Sequence, residues 1–487
     1  MKVKRIFTNI ISILLVILYI FPSSAIATSS NIKKWPYYSS EITSKAAFIM
    51  DANSSKVLYE HNSNQRLYPA SLTKIMTAII VLEHANNYDD LVTFSYNSVT
   101  KDIDKNSTTI GASAGDQLSI KDCLYSLLLP SANDVANALA EHVAGSIKDF
   151  VLLMNEKAES LGLKDTNFVN PSGLHDDNQY TTASDMAKIL NYAMSYPIFM
   201  QITTTVSYRH APIRKFRNPE NSNNLVLNTN SIMIPGNKYY YNGVTSGKTG
   251  YTSSAGYNLA TSARKNGMNL ICIVLGSKNE ATRFNETKEL FDFYFDNYKS
   301  LSIIDIDDRF NSSVSTMAIN DVILMEALNI TCDSNTHITL PKDADINKIK
   351  SVISFQVDDI YNKYAIGSIS YYFDDEFIGK CTLEGKNIEA MESIYTNYLN
   401  LSNSISVEDE ADNNPQTNHN RNSSNTLITK SNNGNLVISN TLIVLIEIII
   451  LLIVLILLIL IIYTYVINNP SLPTNKIMFK IKRFFKH

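Results

Sequence analysis

The chain is 487 residues long, 45% of them hydrophobic, and its 42 lysines and arginines stand against 46 aspartates and glutamates for a net charge of −4. That balance excludes the basic footprint of a nucleic-acid-binding protein. The apolar content excludes a chain dominated by disorder and leaves room for two or three folded domains.

In chain order, Met1-Lys2-Val3-Lys4-Arg5 is followed by an apolar run over about 10–21 and then Ser24-Ala25-Ile26-Ala27. A basic start, a short apolar stretch and an A-x-A site predict a secretory signal peptide over 1–27, cleaved after Ala27. The run is short for an uncleaved anchor helix. AAFIMDANSSKVLYE, from Ala46, reads as two strands around a polar turn. Apolar residues at helical spacing predict helices over 76–84, 123–129, 134–143 and 150–161, and Thr182-x-x-Asp185 reads as a cap opening another. Residues 256–276 read as two further strands joined at Lys265-Asn266-Gly267, where Asn-Gly suits a tight hairpin. Strands at both ends of this stretch with helices between them predict an α+β domain over 44–298: an antiparallel sheet covered by a helical insertion.

Beyond Leu301 the pattern changes to short alternating runs, THITL, ISFQV and IGSISYYF, which predict a small β-rich domain over 301–401. Residues 402–440 are dominated by Asn, Ser, Thr and acidic side chains and read as a flexible linker. Such a chain has a typical reach of roughly 30–40 Å. Residues 442–466 are apolar apart from Glu447 and Thr464, long enough to cross a bilayer core of about 30 Å. Lys476, Lys480, Lys482, Arg483 and Lys486 follow in the tail 467–487, so the positive-inside rule places that tail in the cytoplasm and the preceding body outside. Cys123, Cys272, Cys332 and Cys381 form no C-x-x-C pair and have no ligand-spaced histidine. They support no metal site; an exported chain permits a disulfide that spacing does not reveal, and they read as core residues.

The chemistry begins in YPASLTKIMTA, where Ser71 and Lys74 sit three apart at a helix start. On a helix they share a face. A serine needs a base to become a nucleophile, and a lysine serves only when burial or neighbouring cations lower its pKa. The helix start also offers N–H groups to a developing negative charge. Alone, S-x-x-K describes many capped helices. Two downstream elements change its weight: Ser131-Ala132-Asn133 before a helical pattern in LLLPSANDVANALAEH, and Lys248-Thr249-Gly250 leading into the Gly256 strand in GVTSGKTGYTSSAGY. A second hydroxyl and an amide suit proton relay and positioning; a cation, a hydroxyl and a glycine suit a carboxylate at close approach. S-x-x-K, S-x-N and K-T-G together are the motif set of serine acyl-enzymes that bind penicillin.

With these motifs, and with NPSGLHDDNQYTTASDMA from Asn170, LNTN from Leu227 and TSSAGYNLA from Thr252, the sequence resembles the low-molecular-mass penicillin-binding proteins, the serine-type D-Ala-D-Ala carboxypeptidases of the bacterial cell wall. The resemblance implies a penicillin-binding/β-lactamase-like catalytic domain followed by a small β-sandwich. It also implies a hydrolase that removes the terminal D-Ala of peptidoglycan stem pentapeptides, is acylated by β-lactams, and uses no cofactor or metal. Carried over, the roles place Ser71 as nucleophile, Lys74 as general base, Ser131 as proton relay and Asn133 as positioner. Lys248, Thr249 and Gly250 form the carboxylate-binding strand, and the N–H groups of Ser71 and Tyr251 the oxyanion hole. Arg283 would help hold the carboxylate; a surface arginine paired to Glu280 or Glu286 is the alternative.

Three departures stand out. Tyr251 occupies a place where some relatives carry histidine, Ser246-Gly247 replaces a bulkier residue before the lysine, and a full span stands where relatives use an amphipathic membrane-surface helix. A Ser-His-Asp hydrolase built on His142 or His175 lacks the G-x-S-x-G elbow. A class A-like β-lactamase lacks its E-x-x-L-N, the corresponding region being Asn170-Pro171-Ser172-Gly173. A penicillin-binding receptor signalling inward would need more than the tail after residue 467. The expected protein is a single-pass bacterial membrane protein with an extracytoplasmic catalytic body.

Overall fold

The computed structural model describes residues 35–101, 103, 107–214, 224–311, 317–319, 322–324, 330–332, 335–354, 365–385, 428–430 and 436–438. The expected signal peptide over 1–27, the span over 442–466 and the tail over 467–487 lie outside them, as does most of the linker. Among the described residues no helix is long and apolar enough to cross a membrane. The chain divides into Met1–Leu399 and Asn400–His487; in the second unit Ile428–Lys430 and Leu436–Ile438 pair antiparallel.

The catalytic body is built on one antiparallel sheet drawn from both ends of its sequence. Strands β1 (Ala46–Asp51), β2 (Val57–His61), β3 (Val244–Thr252), β4 (Gly256–Lys265) and β5 (Met268–Ser277) lie in the order β2-β1-β5-β4-β3. Alternation along each strand sends neighbours to opposite faces. Phe48, Ile271 and Ile273 thus join the core under the helices, while Ile49, Cys272 and Val274 join the core on the other side. Because both faces are covered, β5 is buried along its whole length. The β4–β5 hairpin turns on Asn266 and Gly267, both with positive φ (52° and 82°), as the Asn-Gly pair demands.

Between β2 and β3 run α1 (Thr73–His84), α2 (Ile120–Leu128), α3 (Asn133–Ala144), α4 (Ile147–Ser160), α5 (Ala183–Ala193) and α6 (Pro197–Thr204). Thr182 caps α5 as its spacing predicts, its hydroxyl accepting from the Asp185 N–H. Helix α7 (Glu280–Asn297) covers the far face of the sheet with Phe284, Phe291 and Phe295. One expectation needs correcting. The sequence GVTSGKTGYT, read as a lead-in to the Gly256 strand, is mostly a strand of its own, the edge strand β3. It lacks the large apolar residues that mark strands because one of its edges faces the site instead of another strand.

The described part of 301–401 is β-rich. Tyr298–Ser302 (β6) pairs with His337–Pro341 (β8), and Ile330–Cys332 (β7), Glu376–Gly385 (β11), Ala365–Phe373 (β10) and Lys350–Ser354 (β9) form a four-stranded sheet in that order. Ile338, Leu340, Ile369, Tyr371 and Leu383 make its separate core. Cys332 and Cys381 are joined in a disulfide between β7 and β11, so these two are more than core residues, while Cys123 and Cys272 are buried thiols. The β1–β2 turn docks here: Thr339 donates to the Asp51 carboxylate at 2.6 Å, and Lys56 pairs with Glu376 at 3.2 Å.

Candidate active site

Ser71 sits in a short helical turn, Ala70–Leu72, that leads into α1. The turn starts sharply, with Ala70 at φ 48°, a left-handed conformation that costs a non-glycine residue about 1–2 kcal/mol. Neighbouring backbone holds it there. Asn258 of β4, fully buried, donates to the carbonyls of Tyr68 and Pro69 at 2.9 and 3.1 Å. Gly173, at φ 86°, lies so close that a Cβ there would overlap the Ala70 carbonyl oxygen.

Lys74 follows one turn later and is fully buried. Its Nζ lies 3.2 Å from Ser71 Oγ, 2.7 Å from Asn133 Oδ1 and 2.5 Å from the Ser172 carbonyl. Burial first, and then the Lys248 cation, hold its pKa well below the usual lysine value, against the opposing pull of the Asp134 carboxylate. Thr77, next along the same face of α1, donates to the Pro171 carbonyl at 2.6 Å, so two consecutive carbonyls of one loop dock on the nucleophile's helix.

The second motif opens α3. Ser131 has φ 72°, is buried, and its hydroxyl has no hydrogen-bond partner among the described residues. Asn133 reaches Lys74, and the next residue, Asp134, accepts from the N–H groups of Ile110, Gly111 and Ala112 at 3.1–3.2 Å. That carboxylate fixes the segment facing the site beside α3.

The third motif lies on β3. Lys248 is buried and donates to the Thr249 carbonyl at 2.9 Å; burial and the Arg283 cation push its pKa down to about 7. The Thr249 hydroxyl lies 3.3 Å from that of Thr229. Arg283 is 5% exposed, so it is not a surface arginine, although it does pair with Glu280, at 3.1 Å. Its guanidinium donates to the carbonyls of Gly250 and Asn258 at 3.4 and 3.3 Å, bracing β3 and β4. Glu286 instead accepts from Thr43 and Ser44. Tyr251 is half exposed at the rim, against the ring of Tyr257.

A cleft of about 910 Å³ opens over this group, lined by Ser71, Asn133, Ser172, Gly173, His175 and Tyr251 among others. His175 stands at the rim, edge-on to Tyr68 and 3.5 Å from Asp177, while His142 is exposed on α3. Neither is hydrogen-bonded to Ser71. The fold therefore gathers Ser71, Lys74 and Asn133 by direct contact and brings Lys248 within electrostatic reach. The residues that the motifs did not reveal are Ser172, Thr77, Asp134 and Asn258. The turn-forming Asn-Pro-Ser-Gly run signals Ser172 and the strand pattern around Asn258 signals that residue, while Thr77 and Asp134 carry no signal of their own in the sequence.

Comparison with known proteins bears on the family and the fold. The family model described as D-alanyl-D-alanine carboxypeptidase, Peptidase S11, matches residues 31–279. The chain is 30% identical over 314 residues to D-alanyl-D-alanine carboxypeptidase DacF of Bacillus subtilis, covering 64% of this chain and 76% of the relative. It is 29% identical to DacA of Haemophilus influenzae, covering 75% and 90%. Among solved structures, penicillin binding protein 5 from Haemophilus influenzae superposes with a TM-score of 0.56 at 27% identity, covering 72% of this chain and 98% of that one. Penicillin binding protein 6B from Escherichia coli gives 0.54 at 26%, covering 71% and 96%.

Proposed function

The chain belongs to the D-alanyl-D-alanine carboxypeptidase family of serine peptidases, and on that premise we propose that it removes the terminal D-Ala of peptidoglycan stem pentapeptides through an acyl-enzyme on Ser71. The observation that carries the assignment is the 3.2 Å contact between Ser71 Oγ and the amine of a fully buried Lys74.

In this reading Lys74, neutral because burial and Lys248 disfavour its charge, takes the Ser71 proton as Oγ attacks the penultimate D-Ala carbonyl. The N–H groups of Ser71 and Tyr251 stabilise the oxyanion. Collapse breaks the C–N bond; Ser131, whose hydroxyl has no hydrogen-bond partner among the described residues, gives its proton to the departing D-alanine amine and takes up the one that Lys74 received from Ser71, which leaves the lysine neutral again. Lys248, Thr249 and Arg283 hold the terminal carboxylate. Water then attacks the ester and releases the tetrapeptide stem. β-Lactams acylate the same serine.

Support for the setting comes from the sequence alone: a signal peptide over 1–27 and a span over 442–466 place the body outside a bacterial cell membrane, tethered by the linker. The test is the full chain in detergent with a diacetyl-Lys-D-Ala-D-Ala peptide, measuring D-alanine release beside penicillin turnover. D-alanine release that disappears in Ser71→Ala is expected. Fast penicillin hydrolysis without D-alanine would replace this reading with a β-lactamase-like one.

A further inference from the structure

The loop opposite Ser71 has an organiser with no assigned part in the reaction. Asn170 Oδ1 accepts from the N–H groups of Ser172 and Gly173 at 3.2 and 2.7 Å and from the Ser172 hydroxyl at 3.2 Å, while its Nδ2 donates to the Leu174 carbonyl at 3.0 Å. Two backbone donors on one atom fix which end of the amide is oxygen. Gln179, 2% exposed, secures the loop from behind by accepting from the N–H groups of Val169 and Asn170 at 2.9 and 3.0 Å. The result is a closed turn whose Pro171 and Ser172 carbonyls meet Thr77 and Lys74.

A neutral amine has two N–H donors and one lone pair. Around Lys74 Nζ, the Ser172 carbonyl and Asn133 Oδ1 are pure acceptors, so each takes one N–H. The remaining neighbour is Ser71 Oγ, which carries the proton to be moved. We infer that Asn170 is a positioning residue for acylation: by shaping the loop that presents the Ser172 carbonyl, it turns the Lys74 lone pair toward Ser71. In the step itself the Ser71 O–H bond breaks and a third N–H bond forms on Lys74. The other two hydrogen bonds persist, so nothing reorganises as charge appears.

The inference rests on Lys74 as the base, and its test separates the two. Acylation rates with a fluorescent penicillin are measured against pH for the full-length wild type, Asn170→Ala, Asn170→Asp and Ser71→Ala. In Asn170→Ala the rate falls by about 10- to 100-fold, and its rising limb moves to lower pH because the ammonium loses a fixed acceptor. Asn170→Asp keeps the oxygen that orders Ser172 and Gly173, so its plateau rate approaches the wild type. Its added negative charge favours the ammonium and moves the limb to higher pH. A purely structural residue would change the amount of active protein and leave the limb in place. An unmoved limb in Asn170→Ala, or, where that variant does not fold, a plateau rate in Asn170→Asp that falls to about a tenth of the wild type or below although the ordering oxygen is kept, overturns the inference. Persistent labelling of Ser71→Ala overturns the acyl-enzyme reading instead.

Discussion

Gly250 of the K-T-G strand lies against the backbone of Ser71: a Cβ added there would stand 3.2 Å from the Ser71 amide nitrogen and 3.0 Å from the Pro69 carbonyl oxygen. The approach that this glycine permits is therefore that of the nucleophile's own turn as much as of a ligand. Gly250→Ala should push that turn aside, slowing acylation by about 100-fold while costing about 1–3 kcal/mol of stability. Labelling kinetics beside thermal denaturation check this; a folded variant acylated at the wild-type rate would mean the turn has room to give.

Lys248 works at a cost to folding. Its pKa lies near 7 in the folded chain against 10.5 when exposed. Between those values the unfolded chain binds a proton that the folded chain does not, so this residue makes stability rise with pH across that window. Below it the full penalty of a buried cation applies. Lys248→Met should accordingly raise Tm more at about pH 6 than at about pH 9, while abolishing turnover of carboxylate-bearing peptides. An equal or opposite Tm change at the two pH values would show that burial does not lower the lysine's pKa.

Removing the Arg283 cation acts on two levels. Arg283→Ala deprives the Gly250 and Asn258 carbonyls of a charged donor, a type of bond contributing about 1.5–3 kcal/mol. A fall in kcat/KM of about 10- to 100-fold follows if that energy is felt where substrate binds. The same change lifts the Lys248 pKa, so the protonated lysine survives to higher pH and any alkaline limb that it sets moves upward. A pH profile of kcat/KM with the limb unmoved would separate Lys248 from that limb.

The joint between the catalytic body and the β-rich domain offers a control. Asp51 is buried, with its pKa raised by desolvation, and Thr339 is the foremost of the groups that counter the rise, ahead of the Asn53 N–H and the Ser300 hydroxyl. Thr339→Val removes that donor and should destabilise the fold by about 1–3 kcal/mol. The loss should grow as pH rises through the Asp51 pKa, since the charged carboxylate suffers most. The penicillin acylation rate should stay at the wild-type value, because neither residue touches the neighbours of Ser71; a change would reveal coupling between the two domains.

Much of this was legible in the residues. Asn266-Gly267 specifies its hairpin because both positions take positive φ, Thr182 marks a helix start three residues before the N–H it caps, and Ser71 and Lys74 share a helix face through their spacing alone. Three short motifs in order then narrowed the chemistry to acyl transfer, and the family relationship agrees. β3 is hard to read from its residues, because an edge strand against an active site carries glycine and polar residues where other strands carry apolar ones.

What the sequence determined by itself was which side chains carry the chemistry, since a nucleophile, a base and a carboxylate-binding cation must be particular residue types at compatible spacing. Tertiary structure alone decided how that chemistry is tuned. The Ser172 carbonyl that reaches Lys74 is a backbone group with no residue signature. The Lys248 charge acts on a lysine 174 positions away, and Cys332 finds Cys381 only through strand pairing. Electrostatic shifts and hydrogen bonds fall off over a few ångströms, and only folding brings residues so distant in sequence within that range.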